Sequence, residues 1–112
     1  MQYVSKSQAK THANSPQCTA IEYPTLDTDI NGAVIELHGR FPETGMGKNT
    51  VCKELCYVVS GSATITLGGA EQVVNQGDVV LINVGEQYFW EGECTLFVSS
   101  TPSWTMEQYV IK

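Results

Sequence analysis

The sequence predicts an all-β domain, built as a sandwich or a closed barrel of short strands. Three observations predict it. Apolar and polar residues alternate with a period of two, most cleanly where Ala63, Ile65 and Leu67 interleave with Ser62, Thr64 and Thr66. Turn residues recur at close intervals, at Asn31-Gly32, Ser60-Gly61, Gly68-Gly69, Asn75-Gln76-Gly77, Gly85 and Glu91-Gly92-Glu93. No segment carries a sustained apolar stripe at helical spacing.

The elements follow in chain order. Residues 1–16 lack periodicity and are expected to form an arm, flexible or exchanged as a strand with a partner's sheet. Residues 17–112 read as one domain. Asn31-Gly32 signals a tight turn, and Ala33 to His38 a strand that buries Ala33, Ile35 and Leu37. Val51 to Val59 is the next strand, closed by Ser60-Gly61. Ala63 to Leu67 and Glu71 to Val74 form a hairpin about Gly68-Gly69. Val79 to Ile82 is continuously apolar and is expected to be buried on both faces. Tyr88 to Trp90 is an aromatic strand, Glu91-Gly92-Glu93 a turn, and Cys94 to Val98 the strand beyond it. Met106 to Ile111 is expected to pair last.

Composition narrows the function. A chain of 112 residues and 12.2 kDa suits one core, not two. Hydrophobic residues at 42% exclude a disordered polar tract, and charged residues at 16% are too few for a coiled coil. Six Lys and Arg stand against twelve Asp and Glu, for a net charge of −6. That balance offers no cationic footprint for nucleic acid or anionic lipid, so neither is an expected partner. The first twenty residues hold no apolar run of the signal-peptide kind, and no stretch nears the roughly 18 apolar residues that span a bilayer. The expected location is therefore cytoplasmic, and Cys18, Cys52, Cys56 and Cys94 are expected to be reduced thiols acting as small core hydrophobes. Cys52 and Cys56, four residues apart in one strand, would lie ~13 Å apart, too far for a disulfide. The sequence holds no phosphate-binding glycine loop, G-x-S-x-G elbow or CxxC pair.

Glu54-Leu55-Cys56-Tyr57-Val58-Val59-Ser60-Gly61 resembles the second half of the first cupin motif. Gly77-Asp78-Val79-Val80-Leu81-Ile82-Asn83-Val84-Gly85 resembles the start of the second, with Asn83 where proline is usual. The likeness spans residues 39–98 and implies a cupin fold, the double-stranded β-helix or jelly-roll antiparallel barrel closed around a pocket. Asn49, Cys52-x-Glu54, Gly85-Glu86, Trp90 and Thr101-Pro102-x-Trp104 are similar to a group of short prokaryotic cupins. The resemblance also implies a homodimer, since small cupins pair and the outer strand faces are apolar enough to need cover.

Cupin enzymes typically hold a divalent metal with three histidines and a glutamate. The corresponding positions here are Lys48 and Thr50, or Gly47 and Asn49, before Glu54, and Tyr88 after Gly85; none is histidine. His12 and His38 fall outside the motifs, so no standard metal or other cofactor is expected. A substitute divalent site could draw on His38, Cys52 and Glu54, since Cys and His suit Zn²⁺ and Glu is acceptable. Strand alternation places Thr50, Cys52, Glu54 and Cys56 on one face unless a bulge intervenes.

These residues lead to one principal function and two alternatives. The principal reading is a cupin that binds a small anionic or sugar-like molecule without a standard metal. Arg40, Lys48 and Lys53 cluster near the first motif and suit an anion. Tyr88 and Trp90, sharing a strand face, suit a sugar or planar ring. Asn49, Thr50, Cys52 and Glu54 complete the candidate binding set. The first alternative is an acid–base enzyme, isomerase- or epimerase-like, with Glu54 and Tyr88 as the catalytic pair. The second is a metalloenzyme using His38, Cys52 and Glu54.

Overall fold

The period-two runs pair edge to edge into one strongly curled antiparallel sheet that closes as a jelly-roll barrel. The computed structural model describes residues 1–24 and 27–112. Within them the strands are β1 (Lys10–Ser15), β2 (Cys18–Glu22), β3 (Asn31–Phe41), β4 (Gly47–Asn49), β5 (Lys53–Leu67), β6 (Ala70–Asn75), β7 (Val79–Ile82), β8 (Gln87–Thr101) and β9 (Tyr109–Ile111). Two short 3₁₀ turns cover Lys6–Gln8 and Met106–Gln108. The order β1-β2-β3-β8-β4-β9 forms one path, and β5 joins it by pairing β8, β6 and β7.

β5 and β8 are each 15 residues long and belong to both halves of the barrel. Lys53–Val58 pair with Leu96–Thr101, and Ser60–Leu67 with Tyr88–Thr95. The register shifts between Val58 and Ser60. That bulge moves the buried face from Cys56 and Val58 to Ala63 and Ile65. Ser60-Gly61 and Glu91-Gly92-Glu93 therefore do not end strands, as the sequence reading expected. They sit at the corner where both strands bend from one half to the other. Gly61 (φ +79) faces Cys94, and Gly92 (φ +147) faces Ala63 so closely that a Cβ would come within 2.7 Å of its Cα. Asn31-Gly32 likewise opens β3 instead of turning, with the Phe97 ring lying over Gly32.

The second-motif pair Gly77-Asp78 has a structural task. Gly77 N–H donates to the Val58 carbonyl (2.9 Å) and Val58 N–H to the Asp78 carbonyl (3.0 Å), clipping the β6–β7 turn onto the β5 bulge. β7 departs from expectation. Ile82 is buried, but Val79 and Leu81 face outward and are 57% and 50% exposed, because no second layer covers that side. The expected arm supplies the first 3₁₀ turn and β1, which pairs antiparallel with β2 of the same chain. The core is formed by Leu37, Val58, Ile65, Val74, Ile82 and Leu96, each worth roughly 1.5–3 kcal/mol of burial. All four cysteines are free and buried.

Candidate functional site

The two halves of the barrel enclose a cavity of about 500 Å³. Cross-strand register builds one wall as rows. Asn31 on β3, Ser100 on β8, Glu54 on β5 and Ile82 on β7 are successive partners, and all four line the cavity. Cross-strand neighbours lie roughly 5 Å apart, so three polar side chains form a line. The next row, Ala33, Val98 and Cys56, is apolar. Aromatic side chains also line the cavity, Tyr88 and Trp90 from β8, and Trp104 and Tyr109 from the C-terminal segment. His12 and Asn14 on β1 and Glu22 on β2 add polar groups.

Glu54 is gripped by neutral donors. The Asn49 amide Nδ2–H donates to its Oε1 at 2.6 Å, and the Tyr88 hydroxyl donates to the same oxygen at 3.4 Å. Burial pushes the carboxyl pKa up, and the two hydrogen bonds partly oppose the rise. Burial, then the nearby Glu54 and Tyr109, hold the Tyr88 phenol well above its ordinary value, so it remains a donor. Tyr109 is raised to about 12, chiefly by burial. Cys56, beside Glu54 on the inward face, is raised by burial first and by Glu54 second, so it is an inert thiol. Both donors land on Oε1.

Behind Glu54 lies a buried amide pair. Asn49 is 0% and Gln108 5% exposed. Gln108 Nε2 donates to Asn49 Oδ1 at 2.9 Å, while its Oε1 accepts from the backbone N–H groups of Val51 (3.1 Å) and Cys52 (3.3 Å). Gly85 N–H donates to the Asn49 carbonyl at 2.8 Å, tying the second motif to the first.

Of the residues expected at the site, Glu54, Tyr88 and Trp90 line the cavity. Asn49 supports Glu54 from behind. Thr50 is exposed and donates to the Gln108 carbonyl. Cys52 is fully buried outside the lining, its pKa raised to about 11 chiefly by burial. Lys48 is half-buried on β4, between the inward Gly47 and Asn49. Arg40 spends its guanidinium on the carbonyls of Pro42 (2.6 Å) and Gly45 (2.9 Å) and stacks on Phe89 at 3.9 Å. The described lining of the cavity holds no lysine or arginine.

The substitute metal set does not converge. His38 is exposed on the outer face of β3 opposite Glu93, seven positions along β8 from Ser100, the partner of Glu54. Among the described residues no three His, Cys, Asp or Glu side chains are placed to hold an ion together. The cupin positions Lys48, Thr50 and Tyr88 supply no imidazole, and Glu54 is engaged by an amide and a phenol. These residues do not fit the family's usual metal, and no step is derived through one.

Sequence reasoning passed over Ser100, Asn31, Gln108 and Tyr109. Ser100 had a signal, since it is the polar member of the inward series Cys94, Leu96, Val98, Ser100. Asn31 was hidden by its Asn-Gly turn signature. Gln108 had no local signal, because its partner is 59 residues away.

An antiparallel jelly-roll barrel with a pocket at the Glu54 motif is the architecture of the cupin class. The EutQ-like cupin domain matches residues 43–107, and the chain belongs to that family. No curated protein matches the chain. Among solved structures the chain is similar to Pac13, described as a nucleoside dehydratase, at 12% identity and TM-score 0.89, covering 100% of this chain and 91% of that one. Streptomyces PAC13 with uridine superposes with the same TM-score of 0.89, at 12% identity and 100% and 91% coverage. KdgF from Halomonas sp. is similar at 13% identity and TM-score 0.75, covering 92% and 96%. At these identities the likeness shows the fold.

Proposed function

We propose that the cavity binds a small, neutral, hydroxylated ring molecule of sugar or nucleoside type, and that Glu54 exchanges a proton with it. The observation that carries this reading is a carboxyl group inside a cavity, held by two neutral donors and raised in pKa. A cavity carboxyl whose pKa is raised by burial is a candidate for acid–base work. The Asn31–Ser100–Glu54 row suits successive hydroxyls, and the aromatic side chains of the lining suit a ring. With no lysine or arginine in the described lining, a neutral ligand is favoured over the anion that the Arg40, Lys48 and Lys53 cluster suggested. The fold shared with a nucleoside dehydratase adds support.

The chemistry is isomerisation, epimerisation or loss of water. As a carboxylic acid, Glu54 gives a proton to a leaving hydroxyl or a carbonyl oxygen. As a carboxylate, it takes one from carbon or oxygen. Tyr88 holds the carboxyl by Oε1.

The test is a panel of nucleosides and monosaccharides, read by thermal shift for binding and by mass spectrometry for conversion. Ligands should raise the melting temperature, and Glu54→Gln should abolish conversion while binding persists. A panel without any shift removes the binding reading, and full turnover by Glu54→Gln removes the proton-transfer role.

The proposed partner besides the ligand is a second copy of the chain. Leu55, Tyr57, Val79, Leu81 and Phe97 form adjacent rows on the outer face, each 42–57% exposed. The proposed location is the cytoplasm, supported by four unpaired buried thiols. Among the described residues no helix is long and apolar enough to cross a membrane.

A further inference from the structure

We propose that Gln108 is a positioning residue for Glu54, fixing through Asn49 that the carboxyl meets a hydrogen-bond donor and not an acceptor. The argument is one of polarity. A side-chain amide has a donor end and an acceptor end, and either can be turned toward a neighbour. Gln108 has no choice, because two backbone N–H groups, of Val51 and Cys52, point at its oxygen and can only donate. Its Nε2 must therefore face Asn49, whose Oδ1 accepts at 2.9 Å. That leaves the Asn49 Nδ2 for Glu54 Oε1, at 2.6 Å. The backbone of the loop before β5 thus dictates, through two amides, which end of Asn49 the carboxyl sees.

The chain is well anchored. The Gln108 carbonyl accepts from Thr50 N–H (3.0 Å) and from its Oγ1 (2.6 Å), so the residue is held at both ends. With Asn49 0% and Gln108 5% exposed, water cannot replace a lost partner. The titratable groups around Glu54 are Tyr88 on β8, Tyr109 on β9, Cys56 on its own strand and Cys52 just before it, and His12 on β1 and Glu22 on β2 line the same cavity. The Asn49 donor is the first opponent of burial at the carboxyl, ahead of the Tyr88 hydroxyl. A donor at Oε1 also keeps the carboxyl plane fixed. The catalytic meaning rests on the proton-transfer reading above; the arrangement itself does not.

The test follows the titration of Glu54 in the full-length, isotopically labelled protein by NMR. In the wild type, the side-chain amide signals of Asn49 and Gln108 should both shift at the Glu54 carboxyl midpoint, Asn49 more than Gln108. Gln108→Glu keeps an oxygen for Val51 and Cys52 but presents a second acceptor to Asn49. Where the new carboxyl is ionised it can only accept, and Asn49 must turn its own oxygen toward Glu54. The Glu54 midpoint should rise by about one pH unit or more. On a substrate from the panel, the kcat profile should move with the midpoint while KM stays within about two-fold. In an Asn49→Ala background, the Gln108→Glu shift should shrink by about half or more. An undiminished shift would assign the effect to charge acting through space and overturn the proposal. So would an unmoved Glu54 midpoint in Gln108→Glu while the new carboxyl's own carbon signal shows it ionised, or Gln108 amide signals that stay silent across the wild-type titration, a reading that needs no variant to fold. Absence of turnover on every compound counts against the proposed function alone, because the titration is read without substrate.

Discussion

At Glu54, burial and hydrogen bonding pull in opposite directions, and burial is the larger. The folded-state pKa is therefore above the unfolded one, and the sign of the pH dependence follows. The proton is bound more tightly in the folded chain, so this group's stabilisation is complete in acid and fades as pH rises through the folded value. Glu54→Gln keeps the acceptor for Asn49 and removes the charge. Its melting temperature should exceed that of the wild type at pH 8, with the gap closing toward pH 4, as calorimetry across that range would show. An equal gap at all pH values would mean the carboxyl is not buried against its charge. Ser100 sits next to Glu54 in the row and is 5% exposed, with its hydroxyl on the cavity. Ser100→Ala should weaken a hydroxylated ligand by about three- to ten-fold in a titration, and leave its deoxy analogue at that contact unchanged.

The elements that matter most are β5 and β8, whose shared corner turns a flat ladder into a cup. Gly92 and Gly61 are both tight points of that corner, and a Cβ at either would press on backbone. At Gly92 the φ of +147 and the approach of Ala63 leave no room for a methyl group. Gly92→Ala should cost ~2–4 kcal/mol in chemical denaturation, whereas Gly69→Ala, with nothing near its Cβ position, should cost less. Equal losses would show that the corner does not depend on the close approach. β5 also shows why the site is where it is. Its bulge after Val58 lets one strand present Glu54 and Cys56 to the cavity and then Ala63 and Ile65 to the core of the other half.

Over the whole molecule, the outer face of β8, β5 and β7 is the largest anomaly. Phe97, Tyr57 and Val79 are lateral neighbours, flanked by Leu55 and Leu81, and Val34 and Ile21 continue the Phe97 row. None of these is acidic in a chain with twelve Asp and Glu and a net charge of −6. A second copy can approach there without charge repulsion, and its matching apolar rows would cover the face. Light scattering should give twice the 12.2 kDa chain mass, and a Tyr57→Lys, Phe97→Lys double variant should give the monomer with its thermal unfolding still cooperative. A monomeric wild type at micromolar concentration would end the proposal.

The β class, the hairpin about Gly68-Gly69, the alternation of Tyr88 and Trp90 and the shared face of Glu54 and Cys56 were all written in local patterns, because side-chain alternation and turn chemistry act within a few residues. The continuity of β5 and β8 was not, since a strand that bends at a glycine and a strand that ends there read alike until a neighbouring strand fills the gap. Burial of β7 was overestimated for a similar reason, as an apolar run does not say how many layers lie over it. Tertiary structure alone brought Gln108 to Asn49, set Ser100 beside Glu54 and Asn31 beside Ser100, and left Arg40 and Lys48 outside the cavity. Those placements depend on strand register and on contacts across more than fifty residues, and no local pattern encodes either.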